Sequence, residues 1–153
     1  MERGAINADE IPLDDLVHLA NEAPVIRLVN LLLIEGLEAR ASDVHLEGYQ
    51  DGLRVRYRVD GVLQDAPSPP PHLTAAIISR IKIMAELDIA ERRRPQDGKI
   101  DFAEFGGRPL ELRVAVMPTH DGLEDVVLRL LESAKPLPLS GLGLQPRDLA
   151  TIA

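Results

Sequence analysis

Several sets of side chains in this sequence of 153 residues have types and spacings that could do chemistry. Asp43, His45 and Glu47 alternate with Val44 and Leu46. On a strand this places a carboxylate, an imidazole and a second carboxylate on one face, about 7 Å apart per step of two. Oxygen and nitrogen ligands of that kind hold metal ions. The solvated face of any half-exposed strand shows the same pattern, and no metal site is assigned. Arg54, Arg56 and Arg58 alternate in the same way with Leu53, Val55, Tyr57 and Val59. Three like charges at that spacing repel one another unless acids or phosphates face them, and carboxylates of the N-terminal segment would serve. Arg92, Arg93 and Arg94 stand before Pro95–Gln96–Asp97–Gly98, where a charge run in a loop is ordinarily solvated. Arg113 and Arg129 differ from these, because each interrupts an apolar strand signal, Leu112–Arg113–Val114 and Leu128–Arg129–Leu130. If the two strands pair, the arginines leave the sheet side by side on its polar face. Two converging guanidinium forks make a site for a planar or tetrahedral anion. The plainer alternative is two rim arginines paired with Glu111 or Glu132.

The motifs of other chemistries are missing from the sequence. There is no G-x-x-x-x-G-K-[ST], so no loop here cradles a triphosphate. Neither G-x-S-x-G nor H-E-x-x-H occurs, which leaves hydrolase and zinc-protease readings without support. No cysteine is present, which removes disulfides, thiol catalysis and thiolate metal sites. The chain alone is therefore not expected to be an enzyme.

The elements that must position these residues follow from hydrophobic periodicity. Pro24 at a first helical position, then Val25, Leu28, Val29, Leu32 and Leu33, predict an amphipathic helix to about Arg40. Leu13, Leu16, Val17 and Leu19 fit a shorter one. Val44 to Glu47 and Leu53 to Val59 read as strands joined through a turn at Gly48 to Gly52. Asp60–Gly61 closes a hairpin into Val62–Leu63. Pro67 to Pro71 is an extended spacer. A helix runs from His72 toward Leu87, stopped by Pro95, and a loop spans Glu91 to Gly98. Lys99 to Phe105, the Gly106–Gly107 turn and Pro109 to Met117 predict a second hairpin, and Val126 to Leu131 a further strand. Alternating helices and hairpins point to an α+β fold with an antiparallel sheet flanked by helices.

Charge and length bound the rest. A chain this long buries roughly 70% of its unfolded surface and holds a core without staples. The formal charge is -8, which argues against nucleic acid as a partner. Residues 1–22 hold six of the acids and one base, Arg3, so they form an acidic leader, partly flexible, ahead of a domain spanning 23–135. Residues 136–153 read as a linker and the start of a helix. The longest apolar run, Leu31 to Ile34, is far below the ~18 residues of a membrane span. The chain is expected to be cytoplasmic.

Six segments, in order, carry a family resemblance. They are Ala23–Pro24–Val25–Ile26–Arg27–Leu28–Val29–Asn30, Ala41–Ser42–Asp43–Val44–His45–Leu46–Glu47, Val55 to Leu63, Ile78–Ser79–Arg80–Ile81–Lys82–Ile83–Met84, Pro95–Gln96–Asp97–Gly98 and Val127–Leu128–Arg129–Leu130–Leu131. Together they resemble the type II secretion and type IV pilus assembly ATPases, the general secretion pathway protein E type. The resemblance covers about residues 13–153 and lies in the second N-terminal domain, a PAS-like domain preceding a RecA-like motor domain. Leu139 to Leu144 is similar to the segment leading to the family's Walker A loop. The sequence ends ahead of that loop, as a piece of a longer enzyme or a truncated relative would.

The resemblance implies that Arg113 and Arg129 reach the terminal phosphate of ATP, which the motor domain holds with Mg. It implies a homo-hexamer that contacts the motor domain of the same or a neighbouring subunit and is peripheral to the inner membrane through platform proteins. It implies coupling of hydrolysis to domain rotation in protein secretion. A free-standing PAS-like adaptor or small-ligand sensor without a motor is the alternative. The family's glycine, glutamate, base sequence before the last strand is here Gly122–Leu123–Glu124–Asp125, so the register of Arg129 against Arg113 is left to the fold.

Overall fold

The computed structural model describes residues 11–106 and 108–132. The leader up to Glu10, Gly107 of the expected Gly106–Gly107 turn, the linker over 136–143 and the expected helix start over 145–153 lie outside the described residues. Helices α1 (Leu13–Ala20), α2 (Ala23–Glu38) and α3 (Thr74–Met84) accompany strands β1 (Asp43–Tyr49), β2 (Gly52–Val59), β3 (Val62–Ala66), β4 (Gln96–Asp101), β5 (Leu110–Pro118) and β6 (Glu124–Glu132). The strands form one antiparallel sheet in the order β3-β2-β1-β6-β5-β4. The fold is thus α+β.

Period-2 alternation divides the sheet into two faces. Val44, Leu46, Leu53, Val55, Ile100, Leu112, Val114, Val126 and Leu128 are buried in one core cluster with Val25, Val29 and Leu33 of α2 and Ile77 and Ile81 of α3. The polar residues between them point to the other face, which no described helix covers. Helix α1 carries acidic Asp14 and Asp15 in its first turn and buries Leu16 and Ala20. It packs on α3, so part of the acidic leader belongs to the helical layer. Among the described residues no single helix is long and apolar enough to cross a membrane.

Glycine sets the closest approach of helix to sheet. A Cβ on Gly36 of α2 would lie 2.9 Å from Val44 Cγ2 and 3.4 Å from Tyr57 Cε1, and Val44 is fully buried. The Tyr57 hydroxyl donates to the Leu32 carbonyl across the same contact, at 3.1 Å. Overpacking costs ~1–3 kcal/mol, more than the ~1 kcal/mol an alanine gains over glycine in a helix. Gly36→Ala is therefore expected to destabilise the chain by about 1 kcal/mol, read as a lower urea midpoint. An unchanged or higher midpoint would show that Val44 yields.

The hairpin at Asp60–Gly61 forms as the sequence predicts, with both residues at positive φ, 53° and 82°, and Val59 opposite Val62. The helix expected from His72 begins with a 3-10 turn, Pro71–Leu73, ahead of α3. It ends well before Pro95, where Glu86 takes a left-handed φ of 60° and the Leu87 N–H bonds back to the Lys82 carbonyl at 2.7 Å. Strand β4 starts at Gln96, inside the expected loop, because Gly98 lets the end of α3 close on it. An added Cβ there would stand 3.0 Å from the Ala85 carbonyl oxygen. The strand stops at Asp101, short of Phe105. The Asp101 carboxylate accepts from the Ala103 N–H at 3.3 Å, opening a 3-10 turn over Phe102–Phe105 that Gly106 ends at φ 83°.

Candidate functional site

Strand register decides which side chains meet on the uncovered face. Arg113 of β5 lies directly opposite Arg129 of β6. The row continues to Lys99 of β4 on one side, and through Asp43 of β1 to Arg58 of β2 on the other. Three cations therefore stand abreast, although like charges directly opposite each other destabilise a sheet. The polar segment Gly122 to Asp125 does not disturb this register, because Pro118 pairs with Glu124 around the turn.

The three cations have different partners. Arg129 is ion-paired through Nε with Asp43 Oδ1 at 3.2 Å. Lys99 Nζ lies 3.7 Å from Glu111 Oε2. Arg113 is exposed, and among the described residues it has no hydrogen-bond or ion-pair partner. The rim pairing of the two arginines with Glu111 or Glu132 is not what the described residues form. Glu111 serves Lys99, Asp43 serves Arg129, and the Glu132 side chain lies outside the described ones. Asp97, Lys99, Arg113, Ala115, Val127 and Arg129 line an open concavity of about 380 Å³. A guanidinium with no partner among the described residues, flanked by two further cations, fits a multiply charged anion, since phosphate oxygens would relieve the repulsion and accept the fork bidentately.

The other sequence-selected sets are engaged within the domain. Arg56 pairs with Glu47, Arg58 Nε with Asp43 Oδ2 at 3.5 Å, and Arg54 with Asp65 at 3.2 Å. Among the described residues, the acids facing the arginine stripe thus come from β1 and β3. Asp43, His45 and Glu47 do share a face, but guanidinium groups occupy both carboxylates. Asp125, opposite Glu47, has its carboxyl pushed above the ordinary carboxylate range, chiefly by burial and also by the Glu47 charge. The N–H that Gly48 donates to it, at 3.1 Å, opposes this.

Arg92–Arg93–Arg94 lies away from this row, beside Ala90 and Gly122. Its loop is fastened from beneath. Lys82 Nζ donates to the Glu91 carbonyl at 2.9 Å and ion-pairs with Glu124 Oε2 at 2.7 Å, the two side chains being 2% and 4% exposed. Gln96 Nε2 donates to the Asp88 and Glu91 carbonyls at 3.0 and 3.3 Å, while its Oε1 accepts the Asp88 N–H at 2.9 Å. The buried Lys82–Glu124 pair escaped the sequence reading. Its only trace there is a lysine between Ile81 and Ile83, on a helix that the fold buries nearly all round. Arg80, on the same helix, stacks over the Phe105 ring at 5.5 Å, and burial holds its pKa below the usual value.

Comparison with known proteins adds an independent line. The family model described as type II/IV secretion system protein matches residues 18–153. The type II secretion system protein E of Xanthomonas campestris pv. campestris is 57% identical over 128 residues, covering 84% of this chain and 22% of that protein. The type IV pilus assembly ATPase PilB of Myxococcus xanthus is 47% identical over 139 residues, 90% of this chain and 24% of that protein. The type II secretion system protein E of Pseudomonas aeruginosa is 48% identical over 143 residues, 92% of this chain and 28% of that protein. The chain spans about a quarter of the length of these relatives.

Proposed function

This chain belongs to the type II/IV secretion system protein family, and we propose that it is the nucleotide-sensing domain of a secretion or pilus-assembly ATPase. The observation that carries the proposal is Arg113, without a partner among the described residues, standing directly opposite Arg129. In this reading residues 23–135 form a PAS-like, non-catalytic domain. Its two guanidinium groups meet the terminal phosphate of ATP held by a RecA-like motor domain of the same or a neighbouring subunit in a hexamer. ATP with Mg supplies the anionic γ-phosphoryl group, which hydrolysis removes.

The domain's own residues do the sensing. Arg113 turns its free fork onto the phosphate oxygens, and Arg129 presents the amino groups that Asp43 leaves unused. Lys99 adds positive potential on the far side. With the phosphate gone, the three cations repel one another again and the domain loosens its hold on the motor. Chemistry thereby becomes rigid-body rotation, delivered through the secretion platform at the inner membrane while the domain stays cytoplasmic. In this reading the row meets only the terminal phosphoryl group, and the motor domain holds the rest of the nucleotide.

The test uses the full-length ATPase labelled on this domain and on the motor. A non-hydrolysable ATP analogue should shorten the interlabel distance relative to ADP, and Arg113→Ala should erase that difference. Equal distances in both nucleotide states of the unmutated protein would overturn the reading, as would ATP turnover by the isolated chain that is lost on changing one of its own residues.

A further inference from the structure

We propose that Asp43 is the positioning residue for Arg129, a role that rests on the γ-phosphate reading above. The Asp43 side chain is 9% exposed and the Arg129 side chain 66%. A nearly buried carboxylate thus grips the root of a largely exposed guanidinium. Its two oxygens divide the work. Oδ1 takes Arg129 Nε at 3.2 Å. Oδ2 takes the Ser42 hydroxyl at 3.1 Å and faces Arg58 Nε at 3.5 Å.

Arg58 is anchored in turn, donating to the Gly61 carbonyl at 3.0 Å. The carboxylate cannot swing away with Arg129 because its other oxygen is held. Only Nε of Arg129 is engaged, so the terminal amino groups carry no partner among the described residues and remain available to an anion. Arg113, directly across, has no such anchor among the described residues. The site therefore pairs one fork fixed in advance with one that moves to close on the ligand. Restricting a rotamer-rich side chain before binding saves ~0.5–1.5 kcal/mol of ordering, which is about two- to twelvefold in an equilibrium or rate.

The experiment compares the full-length ATPase with Asp43→Asn, Arg129→Ala and the double variant, measuring kcat/KM for ATP. The Arg129 Nε–H proton exchange is followed by NMR in the 153-residue chain. Asp43→Asn keeps shape and an acceptor but loses the charge. It should lower kcat/KM about two- to twelvefold, speed exchange of the Arg129 Nε–H, and add no further loss on the Arg129→Ala background. A full additive loss in the double variant would overturn the proposal, since Asp43 would then act through the structure alone. Normal activity of Asp43→Asn beside a deficient Arg129→Ala would overturn it too, leaving the γ-phosphate reading intact. Normal activity of Arg129→Ala would overturn both. Asp43→Glu guards against misfolding, because it retains the charge and should recover part of the activity and of the exchange protection; recovery of neither, in a folded protein, also counts against the role.

Discussion

Lys82→Ala is expected to lower the stability of the chain by about 3–5 kcal/mol, the cost of leaving a buried carboxylate without its partner. Lys82 is 1% exposed and Glu124 4%, and the ammonium also satisfies the Glu91 carbonyl. Truncation removes the ion pair from buried Glu124, leaves that carbonyl only the longer bond from Gln96 and opens a cavity beside α3. The measurement is thermal and urea unfolding of the 153-residue chain. For a chain of this size the loss corresponds to a fall of roughly 10–20 °C in midpoint. Lys82→Met should be nearly as damaging. Adding Glu124→Gln should return part of the loss, because the pair couples and the stranded charge is then gone. A loss below about 1 kcal/mol for Lys82→Ala would place the pair among solvated surface bridges.

Arg113→Ala and Arg129→Ala are each expected to cut ATPase turnover of the full-length enzyme on the order of 10²-fold, the usual effect of removing one donor aimed at transition-state charge. Lysine should not restore either position, since the planar fork delivers two parallel bonds that an ammonium does not. The double variant should lose far less than the product of the single effects, as groups acting on one phosphate do. Stability should move the other way for Arg113. It has no partner to lose among the described residues and stands opposite two like charges, so Arg113→Ala should leave the isolated chain unchanged or raise its stability by a few tenths of a kcal/mol at low salt. Wild-type turnover in both single variants would end the proposed role. Loss of turnover together with loss of fold would assign the residues to structure.

Much of the scaffold was legible because its signals are local. The three- and four-residue spacing from Pro24 onward, the alternation around Val44 and Val55, and the Asp60–Gly61 turn each report their own conformation without help from the rest of the chain. Pairing Arg113 with Arg129 was legible too, as two arginines interrupting adjacent apolar strands. What tertiary packing decides was not. Gln96 to Gly98 has the composition of a loop, and only the close approach of α3 makes a strand of it. The partner of Arg129 is 86 positions away in sequence, and no periodicity links it to Asp43. Lys82 sits at an apolar position of its helix and shows its purpose only once Glu124 is brought against it from the far end of the β5–β6 turn.

The strand order has a consequence for how this domain comes into being. The meanders β1-β2-β3 and β4-β5-β6 are each built from nearest neighbours along the chain, whereas the seam joining them, β1 against β6, ties residue 43 to residue 129. Closing so long a loop is entropically slow and comes after the local hairpins. Asp43 and Arg129 are partners across that seam, so the row proposed to bind an anion is assembled by the last pairing of the sheet. If the row does sense phosphate as proposed, a nascent chain leaving the ribosome is blind to it until the sixth strand has emerged.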